Sequence, residues 1–303
     1  MNVLVLFSYG SLTSIDDVAH FYNGIYHGHA KPEHINAGRA RYEAHGMPDP
    51  LGANTKRIGR ALINQLMEKI GDTWRMFVAS QNSEPSIETV AQQCAQLDPK
   101  RIVTFGLTPF HSVTGHEAYE KRFTKILRQE NDSTDILHAT PFCDNAHFVD
   151  VLTDRAKTAQ TWLPETVRQE AEIIYTVHSR PGLPKVHEKM IKQYENLAEK
   201  VAKALGVKTY HLAYRSGQPA PQRWLEPDVL DVVSELGERD VPAVIFIEAL
   251  SVIENMEVIQ EVTIDAIGKA RQLGMKAVQS EYLNDSIDFI DALAGHLLEE
   301  LAD

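Results

Sequence analysis

Cysteine is scarce: the 303-residue chain holds only Cys94 and Cys143. The two share neither metal-ligand nor redox spacing, which excludes a disulfide framework or cysteine-held iron–sulfur cluster and fits a reducing compartment. No apolar run approaches the 18 residues a membrane span needs. The apolar stretch at residues 1–8 is short and lacks a basic flank, so it reads as a first strand rather than a signal peptide. A cytoplasmic location is expected. Basic residues are outnumbered, with 30 Lys and Arg against 42 Asp and Glu. The formal charge of −12 argues against nucleic acid and anionic membrane surfaces as partners. Gly-x-Gly-x-x-Gly, a Walker-type loop and a nucleophile elbow are all missing. Their absence argues against a dinucleotide enzyme, a nucleotide hydrolase and an α/β-hydrolase.

What is present is a pattern of short apolar, β-branched runs. They lie at residues 3–7, 74–79, 102–107, 136–139, 173–177, 209–213, 243–247 and 277–279. Helical patterns fill most gaps, at 57–70, 87–96, 187–205, 228–236, 258–273 and 286–301. Alternating strand and helix predicts an α/β protein with parallel sheets. Eight strands divide into four and four, so two Rossmann-like domains are expected, each a four-stranded parallel sheet flanked by helices. A faint repeat supports duplication: Ser83-Glu84-Pro85-Ser86-Ile87 resembles Leu225-Glu226-Pro227-Asp228-Val229. In both, Glu-Pro is expected to open a helix. The expected domains are 1–150 and 151–303. Residues 154–168 form a crossing helix and turn with Pro164 as breaker, and the last helix is free to pack back on the first domain.

Ligands of doubly wound sheets bind beyond the carboxyl ends of strands. There the chain places Tyr9, His178, Tyr214-Arg215-Ser216 and Glu248. His178 closes a nearly apolar strand, where burial keeps an imidazole neutral and able to accept a proton or ligate a metal. A core histidine satisfied by a backbone carbonyl is the structural alternative. After the seventh strand come Glu257, Glu261 and Asp265, spaced i, i+4, i+8. On a helix these carboxylates share one face. No Lys or Arg four residues from either glutamate compensates them, and like charges so placed cost about 0.2–0.5 kcal/mol per pair. The ladder is either a solvated acidic face or a path for a cation. Tyr22, Tyr26, His27 and His29 form an aromatic and polar row that suits a flat ligand or a surface loop.

These residues resemble the ferrochelatase family, in its soluble form from Gram-positive bacteria that acts on coproporphyrin. The resemblance spans nearly the whole chain. It is carried by Phe7-Ser8-Tyr9-Gly10-Ser11, Phe21-Tyr22-Asn23-Gly24-Ile25, Arg41-Tyr42-Glu43-Ala44-His45-Gly46, Tyr119-Glu120-Lys121-Arg122, Val177-His178-Ser179, Trp224-Leu225-Glu226-Pro227-Asp228-Val229 and the ladder. It implies a chelatase fold and insertion of Fe²⁺ into coproporphyrin III or protoporphyrin IX during haem synthesis. Fe²⁺ and porphyrin are then the substrates, no prosthetic group is required, and a monomer is favoured. By position, His178 and Glu257 would be catalytic and would hold the metal with Glu261 and Asp265. Tyr9, Tyr26, Arg41, Tyr42, Asp49 and Tyr119 would surround the porphyrin. Asn255 stands where the family carries a histidine, Arg180 where an apolar residue is common, and Gln81-Asn82 where Lys-His is familiar. The same features admit a cobalt or nickel chelatase for another tetrapyrrole, or a non-catalytic porphyrin or haem carrier.

Overall fold

The eight apolar runs form eight parallel strands, and the central ones, at Asn2–Ser8, Arg101–Gly106, Glu172–His178 and Ala243–Glu248, are buried almost throughout. The structure, a computed structural model, describes residues 1–46, 48–218 and 223–302. Its contacts divide the chain into two units. Every strand lies within two residues of its expected bounds.

The first unit carries β1 (Asn2–Ser8), β2 (Trp74–Ser80), β3 (Arg101–Gly106) and β4 (Asp135–His138), in the order β2-β1-β3-β4. All seven residues of β1 are buried. One sheet face packs Val3, Val5, Phe7, Ile87, Val90, Ile102, Phe123 and Leu127 into a core. Residues from Asp285 onward belong to this unit. Their helix, Ile287–Ala302, packs against Pro50–Ile70. Arg57 pairs with Asp285, Gln65 donates to Asp291 at 2.6 Å, and His296 donates to the Thr140 carbonyl at 2.8 Å.

The second unit carries β5 (Glu172–His178), β6 (Tyr210–Arg215), β7 (Ala243–Glu248) and β8 (Lys276–Gln279). Their order, β6-β5-β7-β8, repeats that of the first sheet. The repeated Glu-Pro segments occupy equivalent places. Pro85 O accepts from Ser80 N at the end of β2, and Pro227 O accepts from Tyr214 N near the end of β6. The prolines do not open the helices as expected. Ser86 and Asp228 follow them as N-caps, each accepting from the first turn. The expected helix across 154–168 is displaced. A helix runs Ala146–Thr161, capped by Asn145, and Pro164 begins the short turn Glu165–Arg168. No helix among the described residues is long and apolar enough to cross a membrane.

Candidate active site

In both sheets the strand order reverses beside the first strand, between β1 and β3 and between β5 and β7. Such switch points open a crevice at the carboxyl ends. In the second unit His178 ends β5, Arg215 ends β6 in register with it, and Glu248 ends β7. A charged residue closing an apolar strand needs a partner, because an unpaired buried charge costs several kcal/mol. Arg215 and Glu248 supply that need to one another. Both side chains are only 1% exposed, with Arg215 Nε donating to Glu248 Oε2 at 3.1 Å. Glu248 also accepts from Thr176 Oγ1 at 2.7 Å and from the backbone N–H groups of Leu250 and Ser251 at 3.2 and 2.8 Å.

The acidic ladder lies above this pair. Asn255 caps the segment, its Oδ1 accepting from Val258 N at 3.0 Å. Asn255 is thus the residue that starts the helix. The expected helix over 258–273 runs unbroken from Met256 to Gln272, but its stretch Ile259–Ala266 is π-helical between α-helical turns at Met256–Val258 and Ile267–Gln272. The i→i+5 bonding of a π-helix widens the backbone, a departure frequent at functional sites. The ladder is also compensated, contrary to the reading from helical spacing. Its counter-charge comes from another strand: Arg215 Nη1 donates to Glu257 Oε2 at 3.2 Å and Glu261 Oε2 at 3.1 Å. Ser216, turned to φ 63°, donates to Glu261 Oε2 at 2.5 Å. Arg215 Nη2 donates to Ser251 Oγ at 2.7 Å. Burial alone would push the guanidinium pKa down, but Glu248, Glu257 and Glu261 hold it above the ordinary arginine range. Burial and the neighbouring Glu257 raise the Glu261 carboxyl.

His178 is fixed from the strand side. Its Nδ1 donates to the Ser179 carbonyl at 2.6 Å, and Ser179 is itself tied to Arg215 O and Leu225 O. A carbonyl only accepts, so the proton is on Nδ1 and the neutral ring carries its lone pair on Nε2. Burial lowers the imidazole pKa, aided by Arg215 and Arg180 and opposed by Glu257. Nε2 stands 3.5 Å from Glu257 Oε2. The carbonyl contact expected of a core histidine is present, but it uses only one nitrogen. The other is open, with 27% of the His178 side chain and 39% of the Glu257 side chain exposed.

The rest of the proposed metal set is arranged differently. Asp265 is exposed and accepts from Gln260 Nε2 at 2.8 Å. Among the described residues no group of three or more His, Cys, Asp or Glu is placed to hold a metal. The geometry therefore offers a two-residue nitrogen–oxygen pair, His178 and Glu257, backed by Arg215 and Glu261, in place of a closed four-ligand cage. The sequence places Arg215 and Glu248 at the ligand-binding strand ends without showing what either does there. The signal was there: each is a charge ending an apolar strand.

The porphyrin candidates all lie in the first unit. Tyr9 follows β1, is 48% exposed and meets Phe21 edge-on, with ring centroids 6.2 Å apart. The loop behind it is tight. Gln81 N and Asn82 N donate to Ser8 O and Tyr9 O, and a Cβ on Gly10, at φ 116°, would meet Ser83 N at 3.1 Å. The row 21–29 is the end of a helix, Val18–Ile25, and a turn, with Tyr26 stacked on His34 at 4.1 Å. Arg41 and Tyr42 lie on a helix at Pro32–His45. Tyr42 is buried and donates to the buried Asp49 at 3.2 Å, while Asp49 caps the helix Pro50–Ile70. These two are engaged with one another. Tyr119 packs edge-on against Phe7.

Beside Tyr119, burial and Glu117 raise the Glu120 carboxyl to about 7. A folded pKa above the unfolded value gives stability at low pH that is lost as pH rises through about 7. Glu120→Gln should therefore stabilise the protein more at pH 8 than at pH 5. The difference should be about 1–2 kcal/mol, discounted for partial exposure, as read from urea unfolding at the two pH values.

The Ferrochelatase family model matches residues 4–301. A coproporphyrin III ferrochelatase of Geobacillus kaustophilus is 27% identical, over 99% of this chain and 96% of its own. That of Bacillus subtilis strain 168 is 26% identical, over 98% and 97%. A ferrochelatase of Herpetosiphon aurantiacus is 25% identical, over 96% of each chain. Among solved structures, SirB from Bacillus subtilis with Fe³⁺ superposes with a TM-score of 0.63 at 13% identity, covering 99% of this chain and 96% of that one. The sirohydrochlorin chelatase SirB of Bacillus subtilis subspecies spizizenii with cobalt gives 0.56, also at 13%, over 99% and 94%. At that identity the likeness is one of fold.

Proposed function

This chain belongs to the ferrochelatase family, and from that premise we propose that it inserts Fe²⁺ into coproporphyrin III, releasing two pyrrole protons. Porphyrin and Fe²⁺ become ferrous porphyrin and two protons, with no change in oxidation state. The balance requires no electron carrier, so Fe²⁺ enters as a substrate and the reaction calls for no redox cofactor. The observation that carries this reading is the facing pair His178 Nε2 and Glu257 Oε2, 3.5 Å apart. A neutral imidazole lone pair and a carboxylate oxygen both accept, so what belongs between them is a proton or a cation. The reaction supplies both. A neutral imidazole takes the pyrrole proton as general base, and the carboxylate stabilises the incoming dication.

Glu261, held by Arg215 and Ser216, takes the next place inward. Asp265, exposed and bound by Gln260, is a peripheral entry point. Tyr9, Tyr26, Arg41 and Tyr119 are proposed porphyrin contacts, and Tyr42 with Asp49 supports the segment that carries Arg41. The choice of coproporphyrin III rests on the names of the relatives cited above, and a cytoplasmic location accords with the absence of a spanning helix among the described residues.

The reading is tested by anaerobic turnover of Fe²⁺ with coproporphyrin III, protoporphyrin IX and, with Co²⁺, sirohydrochlorin. The highest kcat/KM is expected for coproporphyrin III. A preference for sirohydrochlorin would overturn the substrate assignment. Within the ladder, Glu257→Gln should lower kcat at least about 100-fold, in the range of lost acid–base groups. Asp265→Asn should change it less than about 5-fold, as expected for an exposed charge. Equal, negligible effects would return the ladder to a solvated helix face.

A further inference from the structure

We infer that Arg215 is a positioning residue that serves as a resident cation for the metal-side carboxylates, so that a divalent ion is accepted loosely and passed on. The inference rests on the reading of Glu257 as a metal-side carboxylate. Three observations support it. First, the guanidinium is immobilised: it is 1% exposed and anchored by Glu248 through Nε and by Ser251 through Nη2. Second, its remaining nitrogen, Nη1, contacts one oxygen each of Glu257 and Glu261. Third, the Glu257 oxygen it contacts is Oε2, the same atom that faces His178 Nε2.

A dication bound by that oxygen would therefore lie a few ångström from a fixed positive charge. Like charges at such range in a partly buried setting repel one another more than they would in bulk water. The same contact holds Glu257 and Glu261 in place before metal arrives, which spares the site a reorganisation when it fills. Resident ligand sites maximise affinity with closed coordination, whereas a site that delivers its ion must let go. Arg215 supplies the repulsion that makes release favourable, and Glu248 keeps the arginine from turning away.

The test uses the full chain and Zn²⁺ alone, titrated calorimetrically, with Glu257→Gln as the background for binding elsewhere. Arg215→Gln should bind Zn²⁺ at the Glu257-dependent site at least tenfold more tightly than wild type. Arg215→Lys, which keeps the charge, should stay within threefold. Because Arg215→Gln leaves Glu248 buried without its partner, the double variant Arg215→Gln/Glu248→Gln is measured alongside. It should also bind at least tenfold more tightly. In turnover, KM for Fe²⁺ and kcat should fall together. Unchanged or weaker Zn²⁺ binding in the folded double variant would overturn the inference, and so would equal tightening by Arg215→Lys. Loss of stability alone cannot raise affinity, so a merely structural role predicts none of the gain. If wild type fails to metallate any porphyrin while the Zn²⁺ series behaves as stated, the functional reading falls and the role of Arg215 stands.

Discussion

His178→Ala should lower kcat for iron insertion by about 10²–10⁴-fold, the span expected when a positioned general base is lost. Porphyrin affinity should stay within about threefold, because the aromatic and cationic side chains proposed to hold the macrocycle belong to other segments. The side chain is 27% exposed and makes one hydrogen bond, to Ser179 O. Its removal should therefore cost about 1 kcal/mol or less of stability. The check is steady-state turnover beside fluorescence quenching of bound porphyrin and urea unfolding of the same preparations. A folded variant that binds porphyrin and cannot metallate it separates chemistry from binding. Retained turnover would remove His178 from the mechanism.

Glu248→Ala carries the second large effect, and it is on stability. The carboxylate accepts from Thr176 Oγ1, Arg215 Nε and two backbone N–H groups while 1% exposed. Deleting it strands those donors and removes the partner that anchors Arg215. Breaking a buried charge pair in this way costs about 3–5 kcal/mol. Urea unfolding should show a loss of that size, and turnover should fall even where the variant is folded, since Arg215 then no longer positions Glu257 and Glu261. A loss below about 1 kcal/mol would mean that the pair contributes little.

The sheets were readable because the central strands are buried apolar runs, and buried parallel strands have no other pattern to show. The helix Pro32–His45 was not. Only Gly38 and Tyr42 of its fourteen residues are buried, so no apolar stripe marks it. The π-helix was also hidden: the spacing of Glu257, Glu261 and Asp265 does not distinguish an i→i+4 from an i→i+5 ladder. Spacing likewise misjudged the charge balance. It registers partners three or four residues away, whereas Arg215 reaches Glu257 and Glu261 across 42 and 46 positions. Strand ends were the more informative signal, since His178, Arg215 and Glu248 each close a strand at one end of one sheet. The pairing of Tyr42 with Asp49 was hidden for the same reason as that of Arg215. Residue identity shows what a side chain offers, and only the fold shows what it is already bound to.

The most direct measurement is the initial rate of free-porphyrin absorbance loss, taken anaerobically with Fe²⁺ and coproporphyrin III, for wild type and Glu257→Gln in parallel. The account predicts wild-type metallation far above the protein-free rate and a decrease of at least about 100-fold in the variant. Metallation that is equal in the two proteins, or porphyrin bound by wild type and left unmetallated, would contradict it.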